Sequence, residues 1–309
     1  MNTKARQQGV AVITAMVIVA IAVVLATDRL WYASIDKRRT ENLLGADQAF
    51  EYILGAEDWV AHILRRDERE YDSNLDSWAE DTVILPIEGG QITGHITDNQ
   101  ALFNINNIVD QQGSVNIQWL DRLRRLFVIL EQDPTVVDRI ADWIDTDIEP
   151  IGFNGAEDDY YLRKVPAYRT PNRPLRSISE LRRVEGMTPE LFTRLAPYIT
   201  ALPTYTQVNI NFAPPEVLLA IGDAVTDSDI GRIMEAREDG QLISGESLAA
   251  FLQSLQGSFP AEMLSVNSSY FLLLTRVVVG SAGMTMYSIL HRDSISGDTL
   301  VLQRSAGFL

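Results

Sequence analysis

The chain has 309 residues, 46% of them hydrophobic and 22% charged, which is the make-up of a globular protein with a core to bury rather than of a disordered one. A formal net charge of −16 repels phosphate backbones and anionic lipid headgroups, and so argues against nucleic acid as a partner. With no cysteine there is no disulfide, thiolate metal site or cysteine nucleophile, and the compartment is left open.

A short polar opening that carries Lys4 and Arg6 ends at Gly9 and runs straight into residues 10–26, which hold no charge. That run sits at the lower end of what crosses a bilayer as a helix. Lys4 and Arg6 favour an inside amino terminus, Arg29 and Lys37-Arg38-Arg39 blunt that preference, and Trp31-Tyr32 falls where an interfacial aromatic anchor belongs. Three readings compete: a secretory signal cut after Ala26, an uncleaved anchor, and a leader ending in Gly. In the third, the junction between Gly9 and Val10 resembles the site at which a prepilin peptidase cuts type IV pilin-like precursors on the cytoplasmic side.

The sequence beyond the apolar run favours that third reading. Leu43, Ala46, Phe50, Ile53, Leu54, Val60, Ala61 and Leu64 recur at helical spacing with charges between them. A single helix over residues 10–66 would be about 85 Å long. A cleaved signal has no reason to continue into such a helix, whereas a pilin stalk does. In one respect the chain departs from most pilin-like proteins, which carry a Glu at the fifth residue of the mature chain; here that position is Thr14. A carboxylate buried among apolar helices costs several kcal/mol unless paired, so its absence suits a subunit with no neighbour above it in a fibre.

Residues 67–81 are acidic and polar and read as a loop with a short helix near residues 74–79. Strands are expected at residues 82–87 and 91–97 across Gly89-Gly90, turning at Asp98-Asn99 toward a further extended stretch at 102–105. From about Asn106 the period becomes helical, with Trp119, Leu120, Leu123, Leu126, Phe127 and Leu130 and then, after Asp133-Pro134, Val136, Val137, Ile140, Ala141 and Ile144. Residues 178–192 and 208–233 resemble helix-hairpin-helix units. Their glycines are flanked by Glu185 and by Asp223, Asp227 and Asp229, which oppose phosphate, so both are read as scaffold. The chain returns to strands at residues 270–279, 284–290 and 299–303, an antiparallel meander.

The fold class expected is therefore α+β: a long amino-terminal transmembrane helix packed on an antiparallel sheet, with a large all-α domain inserted between strands. The divisions are a leader at 1–9, a transmembrane and stalk helix at 10–66, a first α+β part at 67–105, the helical insert at 106–262 and closing strands at 263–309.

With Gly9, Val10, Thr14, the segment Asp142-Trp143-Ile144-Asp145-Thr146-Asp147 and the segment Val208-Asn209-Ile210-Asn211, the chain resembles the K-type minor pseudopilins of type II secretion over essentially its full length. The resemblance implies a pseudopilus tip subunit, bound to the I- and J-type minor pseudopilins with the H-type and major pseudopilins below. It implies a single-pass inner-membrane protein with its soluble domain in the periplasm, helping to start fibre assembly. A type IV pilus minor pilin, or another calcium-stabilised anchored envelope protein, is the alternative. The 42 acidic residues make carboxylate pairs common, and no nucleophile elbow, phosphate loop or His-Glu-x-x-His is present, so no enzyme is expected.

The remaining chemistry lies in Asp142, Asp145, Asp147 and Glu149, followed by Glu157, Asp158 and Asp159. So many carboxylates repel one another unless solvated or neutralised by a cation. Asp145, Asp147 and Glu149 start like an EF-hand loop, but its sixth position is not Gly and its twelfth is Ala156, so it is not one. The resemblance implies calcium, held by Asp145, Asp147, Glu157 and Asp158, with Asp142, Glu149 and Asp159 as further ligands or groups behind them. Oxygen ligands favour calcium over zinc or copper, and His62, His95 and His291 are scattered.

Overall fold

The computed structural model describes residues 3–67, 70–80, 82–239 and 245–307, with backbone alone for residues 3–10 and 245. Helix α1 (Thr3–Arg66) is continuous, about 96 Å at 1.5 Å per residue. Every residue from 11 to 44 is exposed, including the apolar run, whose mean hydropathy reaches 2.5 over 18 residues. Beyond it one face turns inward: Ala49, Ile53, Val60 and Leu64 are buried.

They bury against a five-stranded antiparallel sheet ordered β1-β2-β7-β8-β9, made of β1 (Val83–Ile87), β2 (Gly90–Asp98), β7 (Tyr270–Val279), β8 (Ala282–Arg292) and β9 (Thr299–Ser305). Alternation along the strands puts Phe271, Leu273, Val277, Met286 and Leu290 under α1. Gly45 lets the helix meet the start of β8, since a Cβ there would lie 2.8 Å from that of Ala282. Farther up, buried Glu57 takes the guanidinium of Arg304 at 2.7 Å and the Ser288 hydroxyl, so α1, β8 and β9 are tied by charge as well as by packing.

The insert leaves the sheet after β2 and returns at β7. It begins earlier than residue 106: the extended stretch at 102–105 contributes β3 (Phe103–Asn104), which pairs in parallel with β4 (Ile199–Thr200) inside the insert and not with the main sheet. Between and beyond these lie α2 (Ile117–Ile129), α3 (Val136–Ile144), α4 (Asp158–Tyr161), a 3₁₀ turn (Ile178–Arg183), α5 (Pro189–Leu195), β5 (Val208–Asn209), α6 (Pro215–Ile221), α7 (Asp227–Glu238), α8 (Gly245–Leu252) and β6 (Leu264–Ser265). One core runs from Phe103 to Val266 and binds these pieces together.

No helix forms at residues 74–79. The Asp76 carboxylate accepts from the Ser73 amide at 2.7 Å and folds the segment into turns, which seat Trp78 edge-on against Phe271. In the second hairpin unit, Arg122 and Arg125 of α2 both reach Asp223, and the Gly222 carbonyl accepts from Arg125 at 2.7 Å. The hairpin loop is occupied by contacts within the chain.

Candidate metal centre

The acidic residues singled out in the sequence fall into three roles. Asp142 lies on the last turn of α3 and is fully buried; its two oxygens accept from the Ile151 and Ala156 amides at 3.0 and 2.6 Å. It pins both ends of the loop that follows. Gly155 sits against this clamp so closely that a Cβ would collide with Asp142 Oδ2 and the Ile151 amide.

Asp145, Asp147 and Glu157 then converge. One carboxylate oxygen from each lies within 4.8 Å of the others. Asp145 ends α3 and Glu157 precedes α4, so both are fixed by helix ends, at 1% and 3% exposure. Neither oxygen of Asp145 has a hydrogen-bond partner, nor does Oε1 of Glu157. Burial pushes Asp145 up to about 7, helped by the charges of Asp147 and Asp142. Burial likewise pushes Glu157 up to about 7, with the charges of Asp142 and Asp145 adding to it. Buried oxygens without donors are costly, and a divalent cation among them removes both the repulsion and the missing bonds.

Three of the expected ligands stand apart. Asp158 spends Oδ1 on the Thr170 amide and hydroxyl, both at 3.0 Å, and its Oδ2 lies 3.4 Å from Arg169. Glu149 and Asp159 are exposed outside the converging trio. One residue was missed. Asn172 adopts φ +44°, donates its amide to the Asp147 carbonyl at 2.9 Å and leaves its own Oδ1 buried without a partner. It is 25 residues from Asp147 in the chain, so spacing carried no signal; an Asn in the left-handed region is the only local hint. All donors on hand are oxygens, a set that fits a hard cation such as calcium.

A second trio, Asp67, Asp72 and Asp76, follows α1. Here Arg292 of β8, 2% exposed, reaches Asp72 at 2.6 Å and Asp67 at 3.3 Å, while Trp78 Nε1 donates to Asp67. The guanidinium already does what a cation would do.

A helix long enough to cross a membrane, continuous with the inner layer of an antiparallel sheet that carries a helical insert, defines a membrane-anchored pilin-type subunit. A family model described as type II secretion system, protein K matches residues 101–204, inside the insert. Type II secretion system protein K of Klebsiella pneumoniae is 33% identical, covering 98% of this chain and 97% of the relative. That of Pseudomonas aeruginosa is 30% identical over 97% of this chain and 93% of the relative. A chain of the GspK-GspI-GspJ complex, solved from the type 2 secretion system of enterotoxigenic Escherichia coli, superposes with a TM-score of 0.69. It is 24% identical, covering 88% of this chain and 100% of that one, and so speaks for the fold. The chain belongs to the type II secretion system protein K family, and is a minor pseudopilin of that system.

Proposed function

We propose that this subunit sits at the tip of the periplasmic pseudopilus, joins I- and J-type minor pseudopilins, and carries one calcium-ordered loop in its insert. The observation that carries the tip position is the combination of a large insert above the sheet with Thr14 in the stalk. The Thr14 hydroxyl donates to the Ala11 carbonyl at 3.0 Å and so is satisfied within its own helix. It offers no charge for a neighbour's amino terminus to meet. The related fold in the GspK-GspI-GspJ complex supports the choice of partners. The leader cut between Gly9 and Val10 is part of the same reading; the α1 backbone runs through both, and their side chains lie outside the described residues.

For calcium, Asp145, Asp147 and Glu157 would hold the ion, with Asn172 Oδ1 as a neutral donor beside them and Asp142 holding the loop in shape. Bound there, the ion supplies positive charge. The chain's own residues fix two carboxylates at helix ends and close the 151–156 loop. Co-expression of the full chain with I- and J-type subunits and native mass measurement of the purified assembly tests the partner reading. A complex with one copy of each is expected, and a K-type chain that purifies alone would overturn it.

A further inference from the structure

A cleft of about 500 Å³ opens in the insert, within the size range of ligand sites, and none of the candidate metal ligands lines it. One part of its lining is the turn that carries Asp110 and Gln111, with Asn116 at the head of α2; another is Pro174, Pro203 and Tyr205. The turn is held by its own side chains. Asp110 Oδ1 accepts from the Gln112 and Ser114 amides, both at 2.9 Å, and Gly113 adopts φ +80°. Asn116 likewise spends its Oδ1 on the Gln118 and Trp119 amides. Asp110 Oδ2, Asn116 Nδ2 and the Gln111 carboxamide are left without partners among the described residues. Tyr205 is 50% exposed, yet its ring is fixed: it meets Trp119 edge-on at 5.9 Å, and its hydroxyl donates to the Glu262 carbonyl at 3.0 Å.

We infer that this cleft binds a neutral saccharide chain. No Lys or Arg lines it among the described residues, so a phosphate or an acidic chain finds no counter-charge there, and Asp110 is its one charged group. A wholly apolar ligand is disfavoured as well, because it would strand the free carboxylate oxygen and carboxamides. A sugar matches both halves of the lining. Its hydroxyls pair with a carboxylate oxygen and with carboxamides, and its C–H face lies on a fixed aromatic ring and on two prolines. Rings of the glucose type, whose axial positions carry only hydrogens, offer such a face on either side. The metal centre is bonded to both parts of the lining. Thr146, between Asp145 and Asp147, donates its amide to the Gly113 carbonyl at 3.1 Å, and a Cβ on Gly113 would strike its side chain. Asn172, which donates to the Asp147 carbonyl at 2.9 Å, leads into Pro174. Saccharide affinity should therefore rise with calcium; that dependence rests on the proposed calcium site, whereas the saccharide site itself does not.

Calorimetry with the N-acetylglucosamine tetramer and with maltotetraose tests this, on the full-length chain in a detergent that has no sugar headgroup, with calcium and with chelator. Saturable binding of at least one tetrasaccharide is expected, and Tyr205→Ala should weaken it about tenfold or more. Asn116→Asp keeps the helix cap and removes only the amide donor. It should keep the wild-type melting temperature and weaken binding about fivefold, as loss of one hydrogen bond does. No heat with either sugar, or binding that both substitutions leave unchanged, overturns the site. A neutral tetrapeptide that binds as tightly as the sugars and is lost with the same two substitutions would make the cleft a peptide site instead. If calcium binds but saccharide affinity is equal with ion and chelator, the coupling to the metal centre is wrong. If calcium gives no heat while the sugar still binds, the calcium reading has failed and the saccharide site stands.

Discussion

Two trios of carboxylates, equal in charge, are handled in opposite ways. Around Asp72 the chain supplies its own cation: Nη2 of Arg292 donates to both carboxylate oxygens and to the Ser268 carbonyl, and the guanidinium lies 4.8 Å from the centre of the Phe271 ring. Around Asp145 no Lys or Arg approaches among the described residues, and oxygens of Asp145, Glu157 and Asn172 are left buried and unpartnered. Acidic density alone therefore does not single out a candidate metal site; a deficit of donors inside the cluster does. The first trio joins the stalk to the sheet through Arg292, whereas the second has no such partner among the described residues and is the one proposed to take up an ion.

The largest effect should come from breaking the internal cation. Arg292→Leu strands Asp72 in the interior, which typically costs about 3–5 kcal/mol and lowers the melting temperature by on the order of 10 °C. Adding Asp72→Asn should restore a good part of that loss. Calcium should leave the Arg292→Leu deficit unchanged, and thermal melts of the three variants with and without the ion check both statements.

In the second trio the sign should depend on the ion. With free calcium a hundredfold above its dissociation constant, wild type gains about 2.7 kcal/mol, and Asp145→Asn should forfeit most of it. In chelator the same substitution should be neutral or stabilising, because it removes one of three mutually repelling charges. Melting curves in both buffers decide it; a variant weakened equally in both would make Asp145 an ordinary structural residue.

Asp223 sharpens the contrast from a more exposed position. Hydrogen bonds and charge from Arg122 and Arg125 hold its carboxyl well below the usual carboxylate range. A depressed folded-state value means that this pairing stabilises above the unfolded value of 3.8 and is lost as pH falls through the folded one. Since Asp223 is nearly half exposed, Asp223→Asn should cost no more than about 1 kcal/mol at neutral pH. The difference from wild type should shrink on acidification below about pH 3, which a pH series of melts will show. Smallest of all is Asp158→Asn, expected to shift stability by less than about 1 kcal/mol and to leave calcium affinity as it was.

That last expectation departs from the sequence reading, which counted Asp158 among the ligands. Asp158 follows Glu157 directly, and its neighbourhood of charges looks the same on paper; only the folded chain shows Thr170 and Arg169 claiming it. Asn172 was invisible for the opposite reason, being a neutral residue brought in from a distant turn. The stalk, the strands around residues 83–98 and 270–305, and the helices α2 and α3 were legible because their apolar periods are long and uninterrupted. The entry to the insert was not, since Phe103 and Asn104 read as a strand in any case and only pairing with Ile199 and Thr200 says which sheet they belong to. Arg292 as the partner of residues some 220 positions earlier had no local signature at all.

The most direct measurement is calcium calorimetry on the full-length, chelator-stripped protein beside Asp145→Asn and Asp72→Asn. Saturable heat with one ion per chain is predicted for wild type and Asp72→Asn, and none for Asp145→Asn. No heat with wild type, or heat abolished by Asp72→Asn and kept by Asp145→Asn, would contradict the assignment of the ion to the insert.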